Sequence, residues 1–211
     1  MPRRFIIEVE KDYFNFASAH FLVFANGKRE ALHGHNYQVS VAVEGDLDRA
    51  GVVLDFIAFK PLVKQICDEL DHRTLIQRDS SALKIRRGDG HVIVLYRDQR
   101  IVLPRRDALL LPIANTSTEL LAEYIAGQIR RRVRRQFPRA MLRNIEVGVE
   151  EARGQRGFYK ESFSGSFKQF ERKTIDCSLR LTQTIHAFVV SVHQQISFEQ
   201  PHVQGQRPDH R

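Results

Sequence analysis

Cysteine is scarce: Cys67 and Cys177 are the only two in 211 residues. Two thiols build no disulfide framework, which excludes a small stapled secreted fold and fits a reducing compartment. Long apolar runs are missing too, and none approaches the roughly 20 residues a helix needs to cross a bilayer. The opening MPRRFIIEVEKDYF turns acidic too soon for a secretion signal. No short-period repeat recurs along the chain. These absences predict a cytoplasmic chain without a membrane partner, either one generous domain or a domain with an appendage. An apolar content of 42% is enough for a packed core.

The formal net charge is +8, which raises nucleic acid as a partner. Much of that charge is local. Arg130, Arg131, Arg132, Arg134, Arg135 and Arg139 fall in one stretch at the end of a predicted helix, where cations complement the helix dipole. No aromatics interleave to offer bases a stacking platform. Nucleic acid is therefore not the expected partner, and an anionic small substrate explains a basic surface equally well.

FIIEV (5–9) and NYQVSVAVEG (36–45) read as strands. In the second, Tyr37, Val39, Val41 and Val43 face one way and Gln38, Ser40, Ala42 and Glu44 the other. GVVLDF predicts a short strand running into a helix with Phe59, Leu62, Val63, Ile66 and Leu70 on one stripe. Pro61 is tolerable there only if the helix begins close before it. Cys67 lies beside that stripe and reads as a small core residue. ALKIRRGDGHVIVLYRDQRIVLP predicts two or three short strands around Gly88-Asp89-Gly90. Thr116 and Glu119 form a capping box for a second helix, with Leu121, Ile125, Ile129 and Val133 as its buried stripe. Two further strands, NIEVGVEEARGQRGFYKESF, join through a Gly-rich turn. The order β-β-(β)-α-β-β-β-α-β-β predicts an α+β domain over residues 1–164, an antiparallel sheet with two helices packed on it. Residues 165–211 hold one apolar patch, HAFVVSV, in a polar stretch, and predict a partly disordered appendage. Its histidines, His186, His193, His202 and His210, match no compact metal motif.

His33 and His35 share a strand face, since residues i and i+2 do. Such a pair can present two neutral imidazoles to Zn²⁺, although alone it fits a structural role as well. His20 closes the upstream strand end FNFASAH, and a hairpin of the first two strands would return it to the pair. Three histidines without a fourth protein ligand would leave zinc an open position, as catalytic zinc has.

FASAH, LHGHNYQVSVAVEG, VVLDF, LDHRTL, TSTELLAEYI and VGVEEARGQRGFY occur in that order. In sequence and spacing they resemble the 6-pyruvoyltetrahydropterin synthase / 6-carboxytetrahydropterin synthase family over residues 4–162. The resemblance implies the tunnelling fold, a four-stranded antiparallel sheet with two helices. It also implies a trimeric barrel, usually doubled to a hexamer, with active sites between subunits. By position it makes His20, His33 and His35 the zinc ligands. Asp71-His72 alone reads as a polar helix C-terminus; in the family the Asp orients the His, which moves a substrate proton. Of Glu150 and Glu151, the resemblance makes Glu151 the pterin anchor, able to accept two parallel hydrogen bonds. Ser117 and Thr118 lie where the family's chain touches the pterin, and fit a capping role equally.

One residue departs from the common pattern. Standard members carry a catalytic cysteine shortly before H-G-H, and here that approach reads Asn26-Gly27-Lys28-Arg29-Glu30-Ala31-Leu32. The nearest proton acceptor is Glu30, and the context resembles a subgroup, sometimes called type III, with glutamate in this place and a longer insert before STE. All variants act on dihydroneopterin triphosphate. A carboxylate base in place of a thiolate favours carbon–carbon cleavage to 6-hydroxymethyl-7,8-dihydropterin, a folate precursor. The expected function is that zinc-dependent lyase reaction, with Glu30 as base, Asp71 and His72 as proton relay and Glu151 as anchor. The alternatives are 6-pyruvoyl- or 6-carboxy-tetrahydropterin synthesis and, from another class, a non-catalytic zinc or pterin-binding protein.

Overall fold

The computed structural model describes residues 3–163. The expected appendage, residues 165–211, lies outside them. Two long strands, β1 (Phe5–His20) and β2 (His33–Gly45), pair antiparallel along almost their whole length. β1 is one strand through both of the segments read separately above. A register irregularity falls between Glu10 and Asn15: β1 advances five residues there while β2 advances two, from Ser40 to Gln38. The surplus of three is odd, so the inward face of β1 changes parity. Val9 is buried before the bulge, and Phe14, Phe16, Ser18 and His20 are buried after it. A bulge of this kind re-aims every side chain downstream.

β2 pairs antiparallel with β8 (Leu142–Ala152), which pairs antiparallel with β9 (Gln155–Ser162). These four strands are the expected antiparallel sheet. Two short ones, β3 (Arg73–Gln77) and β7 (Ala108–Leu111), extend it in parallel from β1, giving the mixed order β7-β3-β1-β2-β8-β9. Between them in sequence, β4 (Lys84–Gly88), β5 (His91–Tyr96) and β6 (Gln99–Pro104) form a separate antiparallel sheet.

Helices α1 (Phe56–Leu70) and α2 (Thr118–Gln136) share one core with the sheet. Tyr37, Val39, Val41 and Val43 of β2 and Ile145, Val147 and Val149 of β8 meet Phe59, Val63 and Ile66 of α1 and Leu121, Ile125 and Ile129 of α2. Each fully buried side chain of this size contributes about 1.5–3 kcal/mol of transfer free energy. Both helix stripes are those read from sequence. The segment before α1 is a series of bends, not a strand. Asp55 caps α1 by accepting from the Ile57 amide. Pro61 thus sits in the second turn, and the Ile57 carbonyl it leaves without a donor belongs to an exposed residue that water can serve. The cap of α2 is Ser117, one residue after the predicted Thr116, with its side chain accepting from Leu120 N. Thr116 instead donates its hydroxyl to the Phe21 carbonyl at 2.9 Å.

β9 packs tightly against the start of α2. A Cβ on Gly157 would stand 2.5 Å from Thr118 Oγ1 and 2.8 Å from the Glu119 amide nitrogen. The second neighbour is backbone and cannot swing aside, so Gly157→Ala should lower stability by about 1–3 kcal/mol, read as a fall in denaturant midpoint; an unchanged midpoint would contradict this packing. Cys67 is fully buried, and burial pushes its thiol up to about 12. At pH 8 almost no thiolate forms. Peptide mapping after iodoacetamide treatment of the folded protein should therefore find Cys67 unmodified, and denaturation should expose it.

Candidate metal centre and its surroundings

β1 ends where β2 begins, so His20 stands opposite His33 and Ser18 opposite His35. Directly opposed residues share a face, and His35 lies two residues beyond His33 on that face. The ring centroids are 4.6 Å apart for His20–His33, 5.2 Å for His20–His35 and 4.8 Å for His33–His35. A nitrogen from each ring lies within 4.8 Å of the other two. The hairpin predicted from sequence thus brings the three histidines together.

The ring of His20 is buried, with Nδ1 3.0 Å from the Thr116 carbonyl. A carbonyl only accepts, so Nδ1 carries the proton and Nε2 keeps its lone pair. That Nε2 is buried without a partner among the described residues. Burial lowers the His20 pKa to about 4; the Thr116 bond opposes this only in part, and His33 and His35 add to it. His33 repeats the arrangement at the surface, its Nδ1 2.8 Å from the Ala31 carbonyl. An orphaned buried acceptor costs about 1–3 kcal/mol, and a cation shared with the neighbouring imidazoles removes that cost. The donor set fits a divalent ion that takes neutral nitrogen ligands, and leaves it at least one open position.

The strand end is held from three sides. Gln77 Nε2 donates to the Phe21 carbonyl at 3.1 Å, beside the Thr116 hydroxyl. Asn115 pairs with Val23 in both directions, accepting from its amide at 3.3 Å and donating to its carbonyl at 3.0 Å. The same Asn115 oxygen accepts from Thr116 N at 3.1 Å, which sets the carbonyl that orients His20. Asn115 and Gln77 escaped the sequence reading, as did the Thr116 carbonyl.

Glu30 is half-buried and tied to Leu22 twice. Its amide donates to the Leu22 carbonyl at 2.9 Å, and its Oε2 accepts from the Leu22 amide at 3.1 Å. Oε1 accepts no hydrogen bond from the described residues. The carboxylate is close enough to favour the charged form of His20 and to raise the Tyr37 hydroxyl. Burial is the main cause of that rise, and Glu151 also contributes. Tyr37 was read only as a core strand residue. Its ring lies 5.8 Å from His20 and 5.6 Å from His35, and its buried hydroxyl has no partner among the described residues.

The adjacent carboxylates of β8 differ in their surroundings. Glu150 pairs across the sheet with Gln38, on the side away from Tyr37. Arg156 and the Gly154 amide engage it, and they hold its pKa below the ordinary carboxylate range. Glu151 falls in the register irregularity between Glu150 and Ala152, and its charge reaches Tyr37. Ser117 and Thr118 open α2 directly after Thr116, so they border the same region while Ser117 also caps the helix.

Asp71 and His72 form the expected couple, Nδ1 to Oδ2 at 2.8 Å, with Asp71 Oδ1 anchored on the Ala17 amide at 2.7 Å. Those bonds hold the Asp71 carboxyl low against a desolvation that acts the other way. His72 has φ 54° and is largely exposed. It lines a pocket of about 470 Å³ together with Ala17, Ser18, Ala19, Gly34, His35 and Asn36. Ala17, Ala19, Gly34 and Asn36 have the parity opposite to the histidine triad, whereas Ser18 and His35 share it.

A family model described as 6-pyruvoyl tetrahydropterin synthase matches residues 8–162. A putative 6-carboxy-5,6,7,8-tetrahydropterin synthase of Methanocaldococcus jannaschii is 35% identical over 149 residues, 69% of this chain and 89% of its own. A dihydroneopterin monophosphate aldolase of Pyrococcus furiosus is 46% identical over 46 residues, 22% of this chain and 40% of its own. A solved 6-pyruvoyltetrahydropterin synthase of Plasmodium vivax, a variant with a catalytic glutamate replaced by alanine, superposes with a TM-score of 0.71. It is 31% identical and covers 76% of this chain and 99% of its own. The α+β architecture is therefore the tunnelling fold, and the chain belongs to the 6-pyruvoyl tetrahydropterin synthase family.

Proposed function

We propose that this member of a family of pterin-processing lyases is zinc-dependent and cleaves the side chain of 7,8-dihydroneopterin triphosphate to 6-hydroxymethyl-7,8-dihydropterin, a folate precursor. The observation that carries this reading is Glu30: a carboxylate with one free oxygen beside the triad, in the stretch where the resembled family has cysteine. The catalytic glutamate named for the Plasmodium vivax relative supports it, as does the aldolase name of the Pyrococcus furiosus relative.

When bound, zinc would polarise the substrate's side-chain hydroxyls and lower their pKa. Glu30 Oε1 takes a hydroxyl proton. The adjacent carbon–carbon bond breaks, its electron pair passes into the conjugated pterin, and the aldehyde bearing the triphosphate leaves. His72, oriented by Asp71, returns a proton to the remaining side-chain carbon. Glu151 accepts two hydrogen bonds from the pterin edge, with Ser117 and Thr118 against the ring. In the trimeric or hexameric assembly that the resemblance implies, with active sites between subunits, His72 of a neighbouring copy completes the site.

The name of the Methanocaldococcus jannaschii relative favours a second reading, 6-carboxytetrahydropterin synthesis. Mass analysis of products from dihydroneopterin triphosphate separates the two. We expect the hydroxymethyl pterin, and exclusive formation of a 6-carboxy or 6-pyruvoyl pterin would reject the preferred reaction. Glu30→Gln should cut turnover by at least about 100-fold, the lower end of what a positioned proton-transfer residue contributes, with metal content unchanged. Persisting turnover would dismiss Glu30 as the base. Chelator-treated protein should take up one zinc per chain and melt at higher temperature as zinc is added, because the ion binds only the folded state. His33→Ala, at an exposed position, should lose both effects. Equal zinc uptake by that variant would remove the triad as the metal site.

A further inference from the structure

The separate sheet of β4, β5 and β6 has no part in the chemistry above, yet its best-buried face is aimed at the segment that carries Glu30. Val92, Val94 and Tyr96 alternate along β5 and are buried. Val92 and Val94 share a small second core with Phe21 and Ile76, against which Val23 packs. Phe21 directly follows His20. Beyond Val23 the chain turns through 24–28 with Gly27 at φ 74°, and returns through a single bridge, Val23 to Arg29, before reaching Glu30. The turn's own bonds are few: Phe24 N to the Lys28 carbonyl at 2.9 Å, Gly27 N to the Phe24 carbonyl at 2.8 Å and Lys28 N to Asn26 Oδ1 at 2.9 Å. A two-stranded ribbon of this size is marginal alone in water.

Two side chains of the small sheet supply what the turn lacks. The Tyr96 hydroxyl donates to the Gly27 carbonyl. Gln99 Oε1 accepts from Arg29 Nε at 2.8 Å. The Arg29 guanidinium is thereby held 5.2 Å over the Phe21 ring, one residue before Glu30. We infer that the β4–β6 sheet is a positioning element for Glu30, and that Tyr96 and Gln99 are positioning residues which fix where its free oxygen points.

This inference rests on Glu30 as the base, and the two fail in different proteins. Tyr96→Phe deletes one hydroxyl and keeps the ring. In the full-length, zinc-loaded enzyme it should lower kcat for dihydroneopterin triphosphate by about 10- to 100-fold with KM little changed, the effect of misplacing a group that acts only in the chemical step. Deuterium exchange at the Leu22 and Glu30 amides, which bond the Glu30 carboxylate and the Leu22 carbonyl, should quicken in the same variant. Gln99→Ala should behave alike, and Gln99→Glu, which still offers Arg29 an acceptor, should restore both readouts. In a Glu30→Gln background Tyr96→Phe should cost nothing further. Unchanged kcat or unchanged exchange in Tyr96→Phe overturns the positioning role, whereas turnover by Glu30→Gln alone overturns the base assignment.

Discussion

The desolvation of His20 is the constraint around which the rest of the site is arranged. A buried imidazole resists charging, and its Nδ1 is already committed to the Thr116 carbonyl. Its remaining lone pair therefore stays neutral and available at any ordinary pH. Everything that fixes Thr116 also fixes that lone pair: the hydroxyl bond to Phe21, the Asn115 clamp on Val23 and the Gln77 contact beside them. His33 and His35 are more open and could adjust to an ion, while His20 could not. The buried partner sets the location and the more open pair completes it.

Carboxylates are sorted around this point by what already occupies them. Glu150 is saturated by Arg156 and Gly154, and Asp71 by Ala17 and His72. Glu30 is engaged at one oxygen only, and Glu151, which helps to raise the Tyr37 hydroxyl, makes no hydrogen bond or ion pair with another described residue. The pair with spare acceptor capacity is thus the pair whose charge reaches Tyr37. The Tyr37 hydroxyl, without a partner among the described residues, feels both carboxylates and adds a buried donor that a ligand edge could meet.

How much of this could be read from sequence follows from which features have a side-chain pattern. The triad was legible because a two-residue spacing fixes a face and a hairpin fixes a return. Both helix stripes were legible through their 3.6-residue period. The α2 cap was misplaced by one because TSTE offers two candidate hydroxyls, and only long-range bonding to Phe21 decides that Thr116 is taken. β3 and β7 were missed because five and four residues carry little period, and their pairing is parallel and distant in sequence. The Thr116 carbonyl has no signature at all, since every residue has one. Glu150 and Glu151 could be separated only once the register with Gln38 was known.

The bulge in β1 has a bearing on how such a chain can change over time. Upstream of it the buried positions are odd-numbered, and downstream even-numbered, so the strand is two alternations joined at residues 11–14. A gained or lost residue that the bulge absorbs leaves the distal half undisturbed. One transmitted along the strand slides Ala19 or Phe21 into the seat of His20 and turns the imidazole to the far surface. Length variation in this lineage should therefore concentrate within those four residues, a tolerant joint between a half that only packs and a half whose register is the site.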